Sequence, residues 1–132
     1  MSMMMDMMKS MPKNESGIDM DMMQKCIEAC SAAEMAATMC ADGATGDGMA
    51  HCASMCMNMA DVAMVTMRMM MRPMGMDPMV MGSMMTTCME MGKACSAECK
   101  MHADSDMCRI CAMACDAMVE SCKAMMAAMA AA

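Results

Sequence analysis

The sequence predicts an all-α fold, an antiparallel up-down-up-down four-helix bundle with a short N-terminal tail. Three observations predict it: four long stretches end at helix-terminating residues, cysteines recur at helical spacing, and no alternating run of β-branched or aromatic residues suggests a strand. A chain of 132 residues suits one compact domain. We expect a flexible, Met-rich tail over residues 1–18 and a Cys-lined bundle over residues 19–132.

The first two predicted helices are bounded by residues typical of helix ends. The first runs from about 20 to 42; Asp21 and Gln24 resemble a capping box at its start, and Gly43 ends it. A loop rich in Gly and Asp, 41–48, separates it from the second helix, which starts near residue 47 and stops before Pro73.

The third predicted helix has the clearest start. Asp77 is a favourable N-cap, and Pro78 suits the first helical position. This helix continues to about residue 102. The fourth begins at Asp104 or Ser105 and runs nearly to the C-terminus. In the tail, Pro12 and Gly17 interrupt any helix that starts earlier.

The composition excludes two classes of partner. The net charge is −7, and the nine Lys and Arg residues do not cluster. Binding of phosphate backbones requires a basic stripe, and stacking of bases uses aromatic side chains, which this chain lacks. We therefore expect no nucleic-acid partner. No apolar run approaches about 18 residues, so we expect no membrane-spanning helix either.

The N-terminus predicts a cytoplasmic protein. It has no basic region, and Asp6 and Lys9 interrupt its apolar part, so it makes a poor signal peptide. In the cytosol, abundant cysteine favours metal or redox chemistry over a disulfide scaffold.

The apolar residues are unusual, because the chain has 36 Met and 12 Cys but no Leu, Phe, Tyr or Trp. Methionine is a flexible core filler, and a thioether is also a suitable ligand for Cu(I). A third interpretation is that Met replaces Leu and aromatic residues in a recoded bundle. The tail methionines could capture copper or simply be disordered; they are Met3, Met4, Met5, Met7 and Met8.

The cysteines fall on one face of every predicted helix. The motif CxxxC occurs four times, at 26/30, 52/56, 95/99 and 111/115, and residues four apart share a helix face. In heptad terms every cysteine occupies a core position. We therefore expect all twelve to line the interior of the bundle and to bind metal: Cys26, Cys30, Cys40, Cys52, Cys56, Cys88, Cys95, Cys99, Cys108, Cys111, Cys115 and Cys122.

The spacing favours several Cu(I) ions over other chemistry. A buried thiol can be a simple apolar side chain, but twelve on one stripe indicate ligands. Cu(I) prefers soft sulfur, and two thiolates one turn apart could bind one ion. Zinc usually takes four ligands from turns, and only Cys108 and Cys111 have CxxC spacing. The iron–sulfur run is missing, and disulfides between CxxxC partners are disfavoured because their Cβ vectors run parallel.

The predicted topology gathers many of these thiols at one end of the bundle. The first and third helices end where the second and fourth begin. That end collects His51 and His102 as well, the only two histidines. Each is either a solvated or capping residue or a copper ligand at the mouth of the bundle, since imidazole also suits copper. The opposite end collects methionines.

These motifs resemble those of the bacterial copper storage proteins, Cys-rich four-helix bundles that hold Cu(I) inside. The resemblance rests on CIEAC (26–30), HCASMC (51–56), CSAEC (95–99) and CRICAMAC (108–115), and it covers roughly residues 20–125. It implies storage of multiple Cu(I) ions by thiolates and no enzymatic role. Positions such as Ala33, Ala37, Gly92 and Met118 lack a thiol, so the capacity is expected to be lower.

Other functions stay open on the sequence alone. The chain could be a zinc or mixed-metal thiolate protein resembling metallothionein, or a recoded Met-rich bundle with reduced metal capacity. A redox enzyme using Cys108 and Cys111 is disfavoured, because its usual βαβ context is absent. No catalytic triad, paired acids or phosphate loop is evident, so we expect a non-enzyme. A homo-oligomer is compatible with the sequence.

Overall fold

The computed structural model describes residues 2–11 and 18–131, and it is helical in both ranges. The helices are α1 (Ser2–Ser10), α2 (Met20–Gly43), α3 (Ala50–Met70), α4 (Pro78–Lys100) and α5 (Asp106–Ala131), with a 3-10 turn at Pro73–Gly75. No β-strand occurs in the described ranges. The all-α prediction is therefore confirmed, and the four long helices lie within two or three residues of their predicted bounds.

The four long helices contact one another in a closed ring. Helix α2 packs against α3 and α5, and α4 packs against the same two helices. Their facing stripes are built from Met, Cys and Ala, as the heptad pattern predicts. Among the described residues, no helix is both long enough and apolar enough to cross a membrane.

The start of α2 corrects one prediction. The N-cap is Asp19, whose carboxylate accepts a hydrogen bond from the backbone N–H of Asp21 at 2.9 Å. Asp19 has the extended backbone that an N-cap requires, whereas Asp21 already lies within the helix. The side chain of Gln24 points along the helix and donates to Glu28 at 3.2 Å. The capping box predicted at Asp21 and Gln24 is wrong.

The starts of α4 and α5 follow the sequence closely. The Asp77 carboxylate accepts hydrogen bonds from the backbone N–H groups of Met79 at 2.9 Å and Val80 at 3.3 Å. Pro78 is the first residue of α4. The Ser105 hydroxyl oxygen accepts from the N–H of Cys108 at 3.2 Å, which fixes the start of α5.

The loop between α2 and α3 depends on two glycines. Gly46 has φ +95° and Gly48 has φ +80°, a left-handed backbone that side chains rarely adopt. These turns reverse the chain within a few residues. As a result, Cys40 near the end of α2 and Cys52 near the start of α3 approach each other.

Helix α1 lies in the segment predicted to be a flexible tail. It packs against α2, and Met8 is buried. The residues predicted to interrupt helix formation, from Pro12 to Gly17, lie outside the described residues. The division of the chain at residue 18 stays a prediction.

Candidate metal centre

All twelve cysteines are buried, with at most 2% of each residue exposed, and all are free thiols. The prediction that they line the interior is confirmed. They fill the inward stripes of α2, α3, α4 and α5 together with small residues such as Ala33, Ala37 and Ala63.

Four thiols, one from each long helix, meet inside the bundle. The Sγ atoms of Cys40, Cys56, Cys99 and Cys111 all lie within 4.8 Å of one another. The Sγ atoms of Cys56 and Cys99 are 3.8 Å apart. Thiols that are distant along the chain thus converge because one residue of each stripe reaches the same level of the bundle.

Two further groups share members with this one. Cys40 also groups with Cys52 and Cys108, and its Sγ lies 3.7 Å from that of Cys108. Cys111 also groups with Cys95 and Cys115. Eight thiols therefore form one continuous set, here called the upper sulfur cluster: Cys40, Cys52, Cys56, Cys95, Cys99, Cys108, Cys111 and Cys115.

The remaining four thiols, here called the lower sulfur cluster, lie further along the bundle. Cys26, Cys30 and Cys122 have Sγ atoms within 4.8 Å of one another, with 3.8 Å between Cys26 and Cys122. Cys88 adjoins them across Met118, whose Sδ accepts hydrogen bonds from the Sγ of Cys88 at 3.3 Å and from that of Cys122 at 3.6 Å.

The sulfur separations suit shared metal ions. At 3.7–3.8 Å the thiols are far too distant for a disulfide, whose S–S bond is about 2.05 Å. A thiolate–metal bond of about 2.3 Å, as for zinc, allows two sulfurs on one ion to be up to about 4.6 Å apart. The clusters can therefore accept metal with small side-chain movements.

The CxxxC partners do not behave alike. Cys26 and Cys30 belong to one group, as do Cys111 and Cys115. At 52/56 and 95/99 the two members of each motif enter different groups with thiols of other helices. That both thiolates of a CxxxC motif bind one ion stays a prediction.

One carboxylate and two imidazoles lie beside the upper sulfur cluster. The carboxylate of Glu98 contacts Nδ1 of His51 at 2.7 Å and Nε2 of His102 at 2.9 Å. One oxygen of Glu98, a ring nitrogen of His102 and Sγ of Cys52 lie within 4.8 Å of one another. His51 is exposed and His102 is partly buried. Both histidines thus lie at the thiol-rich end, as predicted.

Sequence reasoning missed Glu98. Its spacing of four residues from His102 on one helix face was an available signal. Its contact with His51 joins α3 to α4 and could not be read from spacing within one helix. The hydrogen bonds from His102 and His51 lower the pKa of Glu98, so the carboxylate is kept charged.

The thiols of the clusters differ in acidity because each hydrogen bond favours one charged sulfur at the expense of its neighbour. Burial raises the pKa of Cys52 to about 11 and that of Cys40 to about 12. A hydrogen bond from Cys122 lowers the pKa of Cys26 to about 5, and one from Cys111 lowers that of Cys115 to about 5. Hydrogen bonds from neighbouring thiols, Cys111 foremost, hold the pKa of Cys99 well below its usual range.

A ring of four helices enclosing a column of free thiols defines a thiolate metal-binding protein. The sequence model of the family described as copper storage protein matches residues 12–127. The chain belongs to the copper storage protein family.

Solved structures from the same family superpose closely. The copper storage protein Ccsp from Streptomyces lividans, loaded with 10 copper equivalents, is 30% identical with a TM-score of 0.89, over 95% of this chain and 98% of that one. A cytosolic copper storage protein from Streptomyces lividans, described during copper loading with five coppers, is 31% identical with a TM-score of 0.77, over 81% and 93%. No curated protein sequence matches this chain.

Proposed function

We propose that this protein binds and stores multiple Cu(I) ions through the thiolates of its twelve cysteines. The observation that carries the proposal is the column of buried free thiols, in which groups of three and four Sγ atoms lie within 4.8 Å. Soft Cu(I) prefers such ligands and accepts low coordination numbers. The related Streptomyces lividans protein loaded with 10 copper equivalents supports the same function here.

The proposed ligands are the twelve cysteines of the two sulfur clusters, with His51 and His102 at the mouth. Cys52, His102 and Glu98 form the group through which copper would reach the upper cluster. The carboxylate adds a charge that attracts the cation, and it orients both imidazoles.

Zinc is a second candidate for one position. The sequence argues against zinc because CxxC turns are lacking, but Cys40, Cys56, Cys99 and Cys111 supply four thiols from four helices. A set of four cysteine ligands is typical of structural zinc sites. One such ion would use four of the twelve thiols and leave the other eight, including the whole lower cluster, without a function. Copper accounts for both clusters.

The long helices are proposed to run alternately up and down. Near one end of α2, Cys26 contacts Cys122 late in α5; near its other end, Cys40 contacts Cys108 early in α5. These two pairs are those of antiparallel neighbours. Short connections between successive helices support the same direction for the others.

We propose a non-enzymatic, cytoplasmic protein without a nucleic-acid or membrane partner, which can form homo-oligomers. The acidic net charge of −7 and the similarity to a cytosolic copper storage protein from Streptomyces lividans support this view.

The decisive experiment is an anaerobic titration of the fully reduced protein with Cu(I) in the presence of a chromogenic Cu(I) chelator. We expect the protein to withhold several equivalents, near or above one per two thiols. The double variant Cys56→Ser/Cys99→Ser should withhold fewer. The control Met39→Leu/Met57→Leu removes two exposed thioethers and should match the native protein.

Two results would overturn the proposal. Loss of essentially all copper to the chelator would leave storage unsupported. Retention of a single zinc ion in preference to Cu(I), with equal capacity in the double variant and the native chain, would refute the assignment of the thiolates as Cu(I) sites.

A further inference from the structure

Met118 occupies a distinctive place among the buried methionines. It lies on α5 between Cys115 and Cys122 and is completely buried. Its Sδ accepts hydrogen bonds from two thiols, Cys88 at 3.3 Å and Cys122 at 3.6 Å. In the part of the chain described here, no other methionine accepts a hydrogen bond from a thiol.

The opposite helix leaves room for this thioether. A Cβ at Gly92 of α4 would lie 2.5 Å from Cε of Met118 and 2.7 Å from Cγ2 of Val119. Glycine inside a helix is less favourable than alanine by about 1 kcal/mol. Gly92 thus permits the Met118 side chain to lie beside the thiols of α4 and α5.

Packing alone explains the other buried methionines, such as Met85, which fill the core. It does not explain why one sulfur is turned toward two thiols of the lower cluster. A thioether is a soft ligand that suits Cu(I). It is also neutral, so Cu(I) bound by two thiolates and one thioether carries one negative charge, whereas three thiolates would leave two. A smaller buried charge costs less free energy.

We propose that Met118 is a metal ligand and that it forms a three-sulfur Cu(I) site with Cys88 and Cys122. This inference rests on the proposed copper storage function and deepens it. The site extends the lower sulfur cluster toward the upper one, because Met118 lies on α5 between Cys122 and Cys115.

The test compares three variants in the chelator titration. Met118→Leu keeps the apolar volume but removes the sulfur, and Met118→Cys restores a sulfur ligand with a smaller side chain. The matched control is Met85→Leu, an equally buried position on α4. Exchange of Met for Leu usually costs less than about 1.5 kcal/mol, so each Leu variant should remain folded, which thermal melting of the metal-free proteins checks.

We expect Met118→Leu to withhold one equivalent of Cu(I) fewer than the native protein. Met118→Cys should regain it, and Met85→Leu should show no change. Equal copper retention by Met118→Leu and Met85→Leu would overturn the ligand role while leaving storage intact. A deficit in Met118→Cys as large as that in Met118→Leu would show that Met118 acts through packing, which also overturns it. A native protein that withholds no copper would instead refute the storage function itself.

Discussion

At the residue scale, Glu98 is the side chain that joins α3 and α4 at the thiol-rich end of the bundle. It contacts His51 and His102 with separate oxygens and lies beside Cys52. A carboxylate in this position both attracts a cation and fixes the orientation of the ring nitrogens. We therefore expect Glu98 to affect the rate of copper uptake, whereas the number of copper ions stored depends on the thiols.

Glu98→Gln should slow copper uptake about tenfold without changing the number of ions stored. The charge of the carboxylate raises the local concentration of cations, and such electrostatic attraction changes association rates by about 10- to 1,000-fold, so loss of one charge is expected at the lower end of that range. Uptake is measured by stopped-flow absorbance as the protein removes Cu(I) from a coloured chelator complex. Glu90→Gln, an exposed change on the same helix, is the control. Equal rates for the two variants would contradict a role for Glu98.

The sequence predicted the thiols and the two histidines beside them, but not Glu98 or the thioether contact of Met118. Spacing within a helix identifies residues on one face, which is why every predicted cysteine proved to be buried. The contact between His51 and Glu98 joins two helices. The approach of Met118 to Cys88 depends on a glycine on the facing helix. Both contacts depend on how the helices face each other, which periodicity does not encode.

At the scale of the element, helix ends could be predicted where one side chain has a single possible role. Asp77 before Pro78 is such a case, and the structure confirms it. At α2 two aspartates compete, and Asp19 rather than Asp21 has the extended backbone of an N-cap. Local sequence did not separate these alternatives, because either aspartate could accept a bond from an N–H two or three residues later.

The CxxxC motifs show a second limit at this scale. Residues four apart lie about 6 Å apart along the helix axis, since each residue rises about 1.5 Å. Two sulfurs on one ion can be separated by up to about 4.6 Å. Neighbouring helices therefore decide which further thiols each CxxxC cysteine meets, as with Cys122 for Cys26 and Cys30.

Asp77→Ala should lower the free energy of unfolding of the metal-free protein by about 1 kcal/mol. The change removes the acceptor for the N–H groups of Met79 and Val80, and loss of an N-cap typically costs about 0.5–2 kcal/mol. Urea titration followed by circular dichroism measures it. Asp61→Ala, at an exposed position inside α3, should change stability by less than about 0.5 kcal/mol. Similar losses in both variants would argue against the cap.

At the scale of the whole molecule, metal binding and folding are expected to be coupled. The core contains flexible methionines and small side chains, which define its packing weakly. Copper would join α2, α3, α4 and α5 at the group formed by Cys40, Cys56, Cys99 and Cys111. The loaded protein should therefore be more stable and more rigid than the metal-free one.

Loading with Cu(I) should raise the melting temperature by about 10 °C or more. A ligand at 100 times its dissociation constant stabilises by about 2.7 kcal/mol, and a domain of this size gains several degrees per kcal/mol. Anaerobic thermal melts with and without Cu(I) measure the effect. Equal melting temperatures would contradict the coupling.

The metal-free protein should lose stability in alkaline solution. Burial raises the pKa of Cys52 to about 11 and of Cys40 to about 12, above the value of 9.0 for an ordinary thiol. The folded state therefore holds protons that the unfolded chain releases, so this stabilisation is complete below about pH 9 and is lost as the pH rises toward about 12. Cys26 and Cys115 act in the opposite direction, because their pKa values are lowered from 9.0 to about 5. Their contribution to the stability of the folded state is complete above about pH 9 and is lost as the pH falls through about 5.

Thermal melts of the reduced protein at several values above pH 8 test the alkaline effect. The copper-loaded protein is the control, because its ligated thiols have already lost their protons and cannot titrate in this range. A melting temperature that falls equally in both forms would assign the loss to other groups, such as lysines.

The burial of every cysteine also fixes how the reduced protein would respond to thiol-modifying reagents. With at most 2% of each cysteine exposed, a labelling compound has no sulfur to attack until the helices separate locally. A colorimetric thiol count on the native protein would read far below twelve, and the full number would emerge only in denaturant. The labelling rate would then report how often the bundle opens, and that frequency sets an upper limit on how fast anything larger than a bare ion could reach the interior.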